Sequence, residues 1–149
     1  MNKIIASWFG VGYIKGGGTV AAIITCVLLY FFWLTGVGQG HWPLVIITIT
    51  ITLIGIYVGN RVEPAWGKDS YRVVIDEVAG MLVTMLFIPH NNYLLLGGLV
   101  LFRFFDMVKP LFIRRLEALP RGTGVMMDDI VAGVYSNIVL QVVVYFFVK

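Results

Sequence analysis

Ile47-Thr48-Ile49-Thr50-Ile51-Thr52 alternates β-branched apolar and polar residues with a period of two. In a soluble chain that pattern reads as a half-buried strand. Here the surroundings decide otherwise. Of the 149 residues, 59% are hydrophobic and 13% are charged, against roughly 25% charged in ordinary soluble domains. The mean hydropathy is +0.90. Such a chain belongs in a bilayer, where an isolated strand leaves its backbone polar groups unsatisfied and a helix satisfies its own. The hexapeptide is therefore read as the middle of a membrane helix. The fold class that follows is all-α, a polytopic membrane helix bundle.

Working outward, five apolar runs approach the ~20 residues needed to cross the hydrocarbon core. They cover residues 19–35, 42–59, 71–88, 93–113 and 125–148. No internal repeat or low-complexity linker divides them, so residues 1–149 are read as one domain. Before the first run, residues 2–14 are read as a short amphipathic or re-entrant helix, with Gly10 and Gly12 counting against a regular one. The first strong apolar run begins near Thr19 and continues through Trp33, too far in and too long for a cleaved signal peptide. The single cysteine, Cys26, excludes an internal disulfide and a cysteine-based metal cluster, and reads as a small apolar filler.

The connecting segments separate by charge. Lys3 and Lys15 precede the first span, Arg61, Lys68 and Arg72 join the second to the third, and Arg114, Arg115 and Arg121 join the fourth to the fifth. Residues 36–41 and 89–92 contain no lysine or arginine. The positive-inside rule then puts the N-terminus in the cytoplasm and the C-terminus outside, with Trp33 and Trp42 flanking an outer turn. The formal net charge of +3 reports this orientation and no nucleic-acid partner.

Five carboxylates interrupt the apolar runs: Asp76 and Glu77, Asp106, then Asp128 and Asp129. Intramembrane acids are expensive, so they mark a site. With the third and fifth spans entering from the cytoplasm and the fourth returning to it, all five arrive at one shallow depth on the inner side. Arg103, Asp106 and Lys109 are spaced by three and share one helix sector. Two bases do not neutralise five acids, and a divalent cation does so economically. Hard oxygen ligands without histidine or cysteine suit Mg²⁺ rather than Zn²⁺, and Mg²⁺ shares its shell with water and substrate phosphate. Arg103 and Lys109 are then phosphate ligands. Gly122-Thr123-Gly124 and Gly16-Gly17-Gly18-Thr19 each precede a span on the same side, where free backbone N–H groups form an anion site.

The blocks Asp76-Glu77-x-x-Gly80, Phe102-Arg103-x-x-Asp106-x-x-Lys109-Pro110 and Gly122-x-Gly124-x-Met126-x-Asp128-Asp129-x-x-Ala132-Gly133 resemble the bacterial phosphatidylglycerophosphatase A family in motif, order and spacing. Phe9-Gly10-x-Gly12 and Gly18-Thr19 are similar to its N-terminal glycine-rich segment. The resemblance covers nearly the whole chain. It implies a Mg²⁺-dependent phosphomonoesterase of the bacterial inner membrane that converts phosphatidylglycerophosphate into phosphatidylglycerol and inorganic phosphate, within phospholipid biosynthesis.

On that footing Glu77, Asp128 and Asp129 are the first candidates for metal ligands, while Asp76 and Asp106 are ligand or base. A phosphoaspartyl route, with Asp106 or Asp128 as nucleophile, stays open. Arg103, Lys109, Thr19, Gly122 and Gly124 are the candidate substrate contacts. The rival readings are a small ion- or proton-coupled transporter and a phosphatase for another lipid phosphate. Asp106 has a plainer reading as a salt-bridge partner of Arg103 or Lys109, and Asn137 and Gln141 as interhelical hydrogen bonders. His41 and His90 are expected at the outer surface, away from the acids.

Overall fold

The computed structural model describes residues 1–36, 40–68, 70–110, 113 and 122–147. Every regular element among them is helical. A short helix α1 (Asn2–Ala6) and a 3₁₀ turn (Val11–Tyr13) precede α2 (Gly17–Leu34), α3 (His41–Trp66), α4 (Ile75–Thr84), α5 (Asn92–Val108) and α6 (Gly122–Phe147). The alternating hexapeptide lies within α3. Two of its threonines show how the helix accommodates them. The Thr48 and Thr50 hydroxyls donate to the carbonyls of Leu44 and Ile46, each at 2.8 Å. Turned back four residues, the hydroxyls are satisfied inside the helix.

Three helices, α2, α3 and α6, are long and apolar enough to cross a membrane. The expectation of five spans near twenty residues each is corrected by the lengths of the others. α5 has 17 residues, about 25 Å at the α-helical rise. α4 has only ten, roughly 15 Å, about half of the ~30 Å hydrocarbon core. Its shortness has a visible cause. Every residue of α4 except Glu77 is buried, so it is an internal helix that needs no lipid-facing surface. After Thr84 the chain turns through Phe87, which takes a left-handed φ of 60°.

The carbonyls freed at the end of α4 find donors on α6. Asn137 Nδ2 donates to Thr84 O at 2.9 Å and to Leu86 O at 2.7 Å, and Gln141 Nε2 to Phe87 O at 3.4 Å. Asn137 and Gln141 thus join helices, as their spacing suggested, and they do so by capping. The turn they hold lies beside the α2–α3 connection. His90 stacks on Trp33 with ring centroids 4.7 Å apart, and His41 lies 5.2 Å from Phe87. Both histidines are exposed there. Partial burial, with His41 adding to it, lowers the pKa of His90 below its ordinary value.

α6 is the central helix, packed against α4, α5 and α3. It crosses α4 where Gly80 meets Gly133, so closely that a Cβ at either glycine would run into the main chain of the other helix. A second close crossing, Gly59 of α3 on Gly122 of α6, is fastened by the Gly122 N–H donating to Asn60 Oδ1 at 3.0 Å. Small residues where helices meet are what lets apolar helices associate in lipid. Cys26 is buried in the apolar core with Leu29, Met81 and Leu95, as an apolar filler should be.

The N-terminal segment is not one amphipathic or re-entrant helix. α1 ends after five residues because Trp8, Phe9 and Gly10 all have positive φ, at 48°, 57° and 99°. The segment is instead tied across the approach to α4. Val74 N–H donates to Ala6 O at 3.0 Å, and Gly12 lies directly on the backbone of Arg72, where a side chain would not fit. Arg114, Arg115 and Arg121, used for orientation, lie outside the described residues, as do Val37–Gln39 of the α2–α3 connection.

Candidate active site

Four helices bring their ends together opposite the His90 turn, and between them lies a cavity of about 600 Å³. The first turn of α2 brings Gly17, Gly18 and Thr19, and the first turn of α4 brings Asp76 and Glu77. The last turns of α5 bring Arg103 and Asp106, with Lys109 at its C-cap, and α6 brings Asp128 and Asp129. The fold thus brings together all five expected acids, both expected bases and Thr19.

Local chain geometry explains each placement. Carboxylates in the first turn of α4 sit at the positive end of its dipole. The Asp76 side chain also accepts the N–H of Glu77 at 3.0 Å. Asp128 and Asp129 repeat this arrangement, with the Asp129 N–H donating to Asp128 Oδ1 at 3.0 Å. They were expected in the first turn of the last span. The helix begins earlier, at Gly122, so they lie in its second turn. Lys109 stops α5 by taking a left-handed conformation, φ 46°, ahead of Pro110. That bend carries its ammonium across to α6, where Nζ donates to Asp128 Oδ2 at 2.7 Å.

Arg103 is the hub of the other side. Its Nη1 donates to Glu77 Oε2 of α4 and to Asp106 Oδ2 of its own helix, the latter at 2.7 Å. The plainer reading of Asp106 as a salt-bridge partner of Arg103 is therefore realised in this structure, inside the pocket. Arg103 Nε is buried and, among the described residues, meets no acceptor. Asp76 and Asp129 are 6% and 4% exposed, and among the described residues no cation stands within salt-bridge distance of either. Five carboxylates face three lining cations, Lys15, Arg103 and Lys109.

An arrangement with two unpaired buried carboxylates and an unused guanidinium donor is built to be completed by something else. The donor set is all oxygen, which suits a hard divalent cation in kind. Among the described residues no three carboxylates close round an ion as they stand. A bound cation would therefore draw part of its shell from water and from the substrate, the habit of Mg²⁺.

Two expected contacts are absent from the cavity wall. Gly122 and Gly124 are buried away from it: Gly122 lies on Gly59, and its N–H is taken by Asn60. Four polar lining residues, Tyr13, Lys15, Ser70 and Tyr71, are not among the expected site residues. Arg72 packs behind them, its guanidinium carbon 5.9 Å from the Tyr13 ring centre and 5.4 Å from that of Tyr71. The signal for this wall was present only as Lys15 next to the glycine run. Its partner strip, residues 70–72, is brought alongside by the Gly12–Arg72 contact, which no local pattern announces.

Comparison with known proteins supplies a family. The family model for phosphatidylglycerophosphatase A matches residues 4–144. A protein of Bacteroides thetaiotaomicron, provisionally named a phosphatidylinositol-3-phosphatase, is 36% identical over 144 residues, covering 93% of this chain and 91% of that protein. The phosphatidylglycerophosphatase A of Haemophilus influenzae is 32% identical, with 95% and 88% covered. That of Escherichia coli is 34% identical, with 80% and 67% covered. No solved structure matches the chain. With the match running from α1 into the last turn of α6 and the acids of all three blocks lining one cavity, the chain belongs to the phosphatidylglycerophosphatase A family and is a phosphatase.

Proposed function

We propose that the protein hydrolyses phosphatidylglycerophosphate to phosphatidylglycerol and inorganic phosphate, with Mg²⁺, at the cytoplasmic leaflet of a bacterial inner membrane, as a step of phospholipid synthesis. The observation that carries this reading is the convergence of five carboxylates, Arg103 and Lys109 on one cavity at one end of an apolar bundle. The names of the Haemophilus and Escherichia relatives supply the substrate.

Asp76, Glu77, Asp128 and Asp129 are the residues to hold the cation, two of them, Asp76 and Asp129, being buried without a cationic partner among the described residues. Bound Mg²⁺ would supply charge neutralisation at the phosphate and a more acidic water. The chain's own groups do the rest. Arg103, whose Nε is unused, and Lys109 take the non-bridging phosphate oxygens and stabilise the charge that spreads over them during transfer. One carboxylate, Asp106 or Asp76, accepts a proton from the attacking water as its oxygen bonds to phosphorus. The bond from phosphorus to the glycerol oxygen breaks, and that oxygen leaves with a proton. Attack by Asp106 or Asp128 itself is the other route, and the stereochemistry at phosphorus distinguishes them, since one displacement inverts the configuration and two retain it.

Orientation follows from charge. Among the described residues every charged side chain sits at the cavity end, including Lys3, Lys15, Arg61, Lys68 and Arg72, while the His90 end has none. That asymmetry favours a cytoplasmic cavity, a cytoplasmic N-terminus and an external C-terminus, with α4 and α5 as inner passes between the spanning helices. In a Cys26→Ala background, Lys68→Cys should be shielded from an impermeant thiol reagent outside intact cells and Thr35→Cys labelled. The reverse pattern rejects the orientation. The lack of charge at the far end among the described residues also counts against a transport pathway, which needs polar groups from face to face.

The reaction itself is tested with purified protein in mixed micelles. Phosphate release from phosphatidylglycerophosphate should require Mg²⁺ and stop with a chelator; metal-independent release, or none from folded protein, rejects the reading. The name of the Bacteroides relative makes phosphatidylinositol 3-phosphate the second substrate to test. A higher kcat/KM on it would transfer the activity to that lipid.

A further inference from the structure

Beside the acidic cavity lies a second one of about 200 Å³ whose walls expose no polar atom. Its floor is Leu29 of α2, Leu44 of α3 and Val78 and Leu82 of α4, all buried. Its rim is Leu28 and Ile47, 51% and 38% exposed, so it opens sideways between two helices that can cross a membrane. Even Thr25 in its wall is apolar in effect, because its hydroxyl donates to Ala21 O at 2.8 Å.

The groove lies farther along two of the helices that wall the acidic cavity. On α4, Val78 directly follows Glu77 of the acidic cavity. On α2, Thr25 lies six residues beyond Thr19, roughly 9 Å along the axis. From there the groove runs on toward Phe32 and Leu44, away from the charged end. An occupant that is charged at one end and apolar along its length has the chemistry to reach both. Resting on the lipid-phosphatase reading above, we infer that the α2–α3–α4 groove seats one acyl chain of the lipid whose phosphate enters the acidic cavity. Binding the chain there fixes the substrate's depth and angle, so the headgroup arrives at Arg103 already oriented.

Two measurements on the full chain in mixed micelles test this. The first uses a lipid phosphate monoester with a diazirine at mid-chain, against a phosphatidylcholine with the same chain. Adducts mapped by mass spectrometry should concentrate on Leu28, Ile47 and their neighbours in the groove, and the phosphatidylcholine should label them several-fold less. Equal labelling by both lipids, or adducts spread over all exposed helix faces, overturns the inference as ordinary bilayer contact. The second uses Leu28→Trp and Ile47→Trp, which fill the groove from its exposed rim. KM for a dioleoyl substrate should rise roughly tenfold, equivalent to about two methylenes left unburied, with kcat retained and a dihexanoyl substrate unaffected. Equal effects on both chain lengths, or none, overturn it. If folded wild-type protein releases no phosphate, the reaction assignment fails while the labelling pattern still decides the groove.

Discussion

Gly80→Ala adds one methyl group at the point where α4 crosses α6, and the structure sets the size of its effect. The new Cβ would stand 2.7 Å from the carbonyl oxygen of Asp129 and against the Phe102 ring. The ring can turn, but the carbonyl is main chain. Ordinary contact begins at 3.4 Å, so the two helices must part by the difference, about 0.7 Å. Overpacking of this kind costs about 1–3 kcal/mol of stability. The effect on catalysis should be larger in proportion, because α4 carries Asp76 and Glu77 and α6 carries Asp128 and Asp129, all four lining the cavity. Misplacing reacting groups by ~1 Å costs up to about a hundredfold in rate, so a tenfold to hundredfold fall in kcat is expected. The assay is phosphate release from phosphatidylglycerophosphate in mixed micelles, alongside thermal unfolding. Gly97→Ala is the control, since its Cβ would meet only Leu140 Cδ2 at 3.9 Å. A Gly80→Ala protein within roughly threefold of wild type in kcat would refute the claim that this crossing sets the cavity's geometry.

Three further outcomes are expected. Asn137→Leu keeps the side chain's bulk but leaves the Thr84 and Leu86 carbonyls without their donor, costing about 1–3 kcal/mol in denaturant titration with kcat per folded molecule retained. A stability change near zero would mean that these carbonyls find other donors. Arg103→Lys removes the guanidinium whose Nη1 holds Glu77 and Asp106 together, and kcat/KM should fall by about 10²-fold without loss of folding; a near-native lysine enzyme would show that only the charge matters. Asp129→Asn should raise the Mg²⁺ concentration for half-maximal activity by roughly tenfold or more, as loss of a metal ligand does. An unchanged Mg²⁺ titration would remove Asp129 from the ligand set.

What the sequence made legible was the chemistry, and what it hid was length. The helical reading of Ile47-Thr48-Ile49-Thr50-Ile51-Thr52 followed from the solvent, and the back-bonded Thr48 and Thr50 hydroxyls supply its local mechanism. The convergence of Asp76, Glu77, Asp106, Asp128 and Asp129 followed from the alternating direction of successive helices. Residues 71–88 looked like a span because hydropathy does not distinguish a lipid-facing helix from one buried on all sides by protein. Only the partners of α4, Gly133 at its crossing and Asn137 at its end, reveal that it stops at Thr84. The glycines before the last span were misleading for a related reason. A helix start with open N–H groups and one whose N–H is taken by a distant side chain share the same sequence, and Asn60 is sixty-two residues from Gly122. The wall made by Tyr13, Lys15, Ser70 and Tyr71 depends on α1 being pinned at Val74, a long-range contact with no periodic signal.

The shortness of α4 also dictates how the molecule is assembled. A ten-residue helix that begins with Asp76 and Glu77 is a poor candidate for independent insertion, since it neither reaches across the bilayer nor compensates its charges. Its main partner is α6, the last described helix to leave the ribosome. α2 and α3 can enter the membrane as a hairpin on their own, whereas α4 must wait, shielded at the interface or by the insertion machinery, until α6 arrives with Gly133 and Asn137. Completion of the cavity is therefore a late event in biogenesis, and no truncated chain lacking α6 acquires a catalytic site.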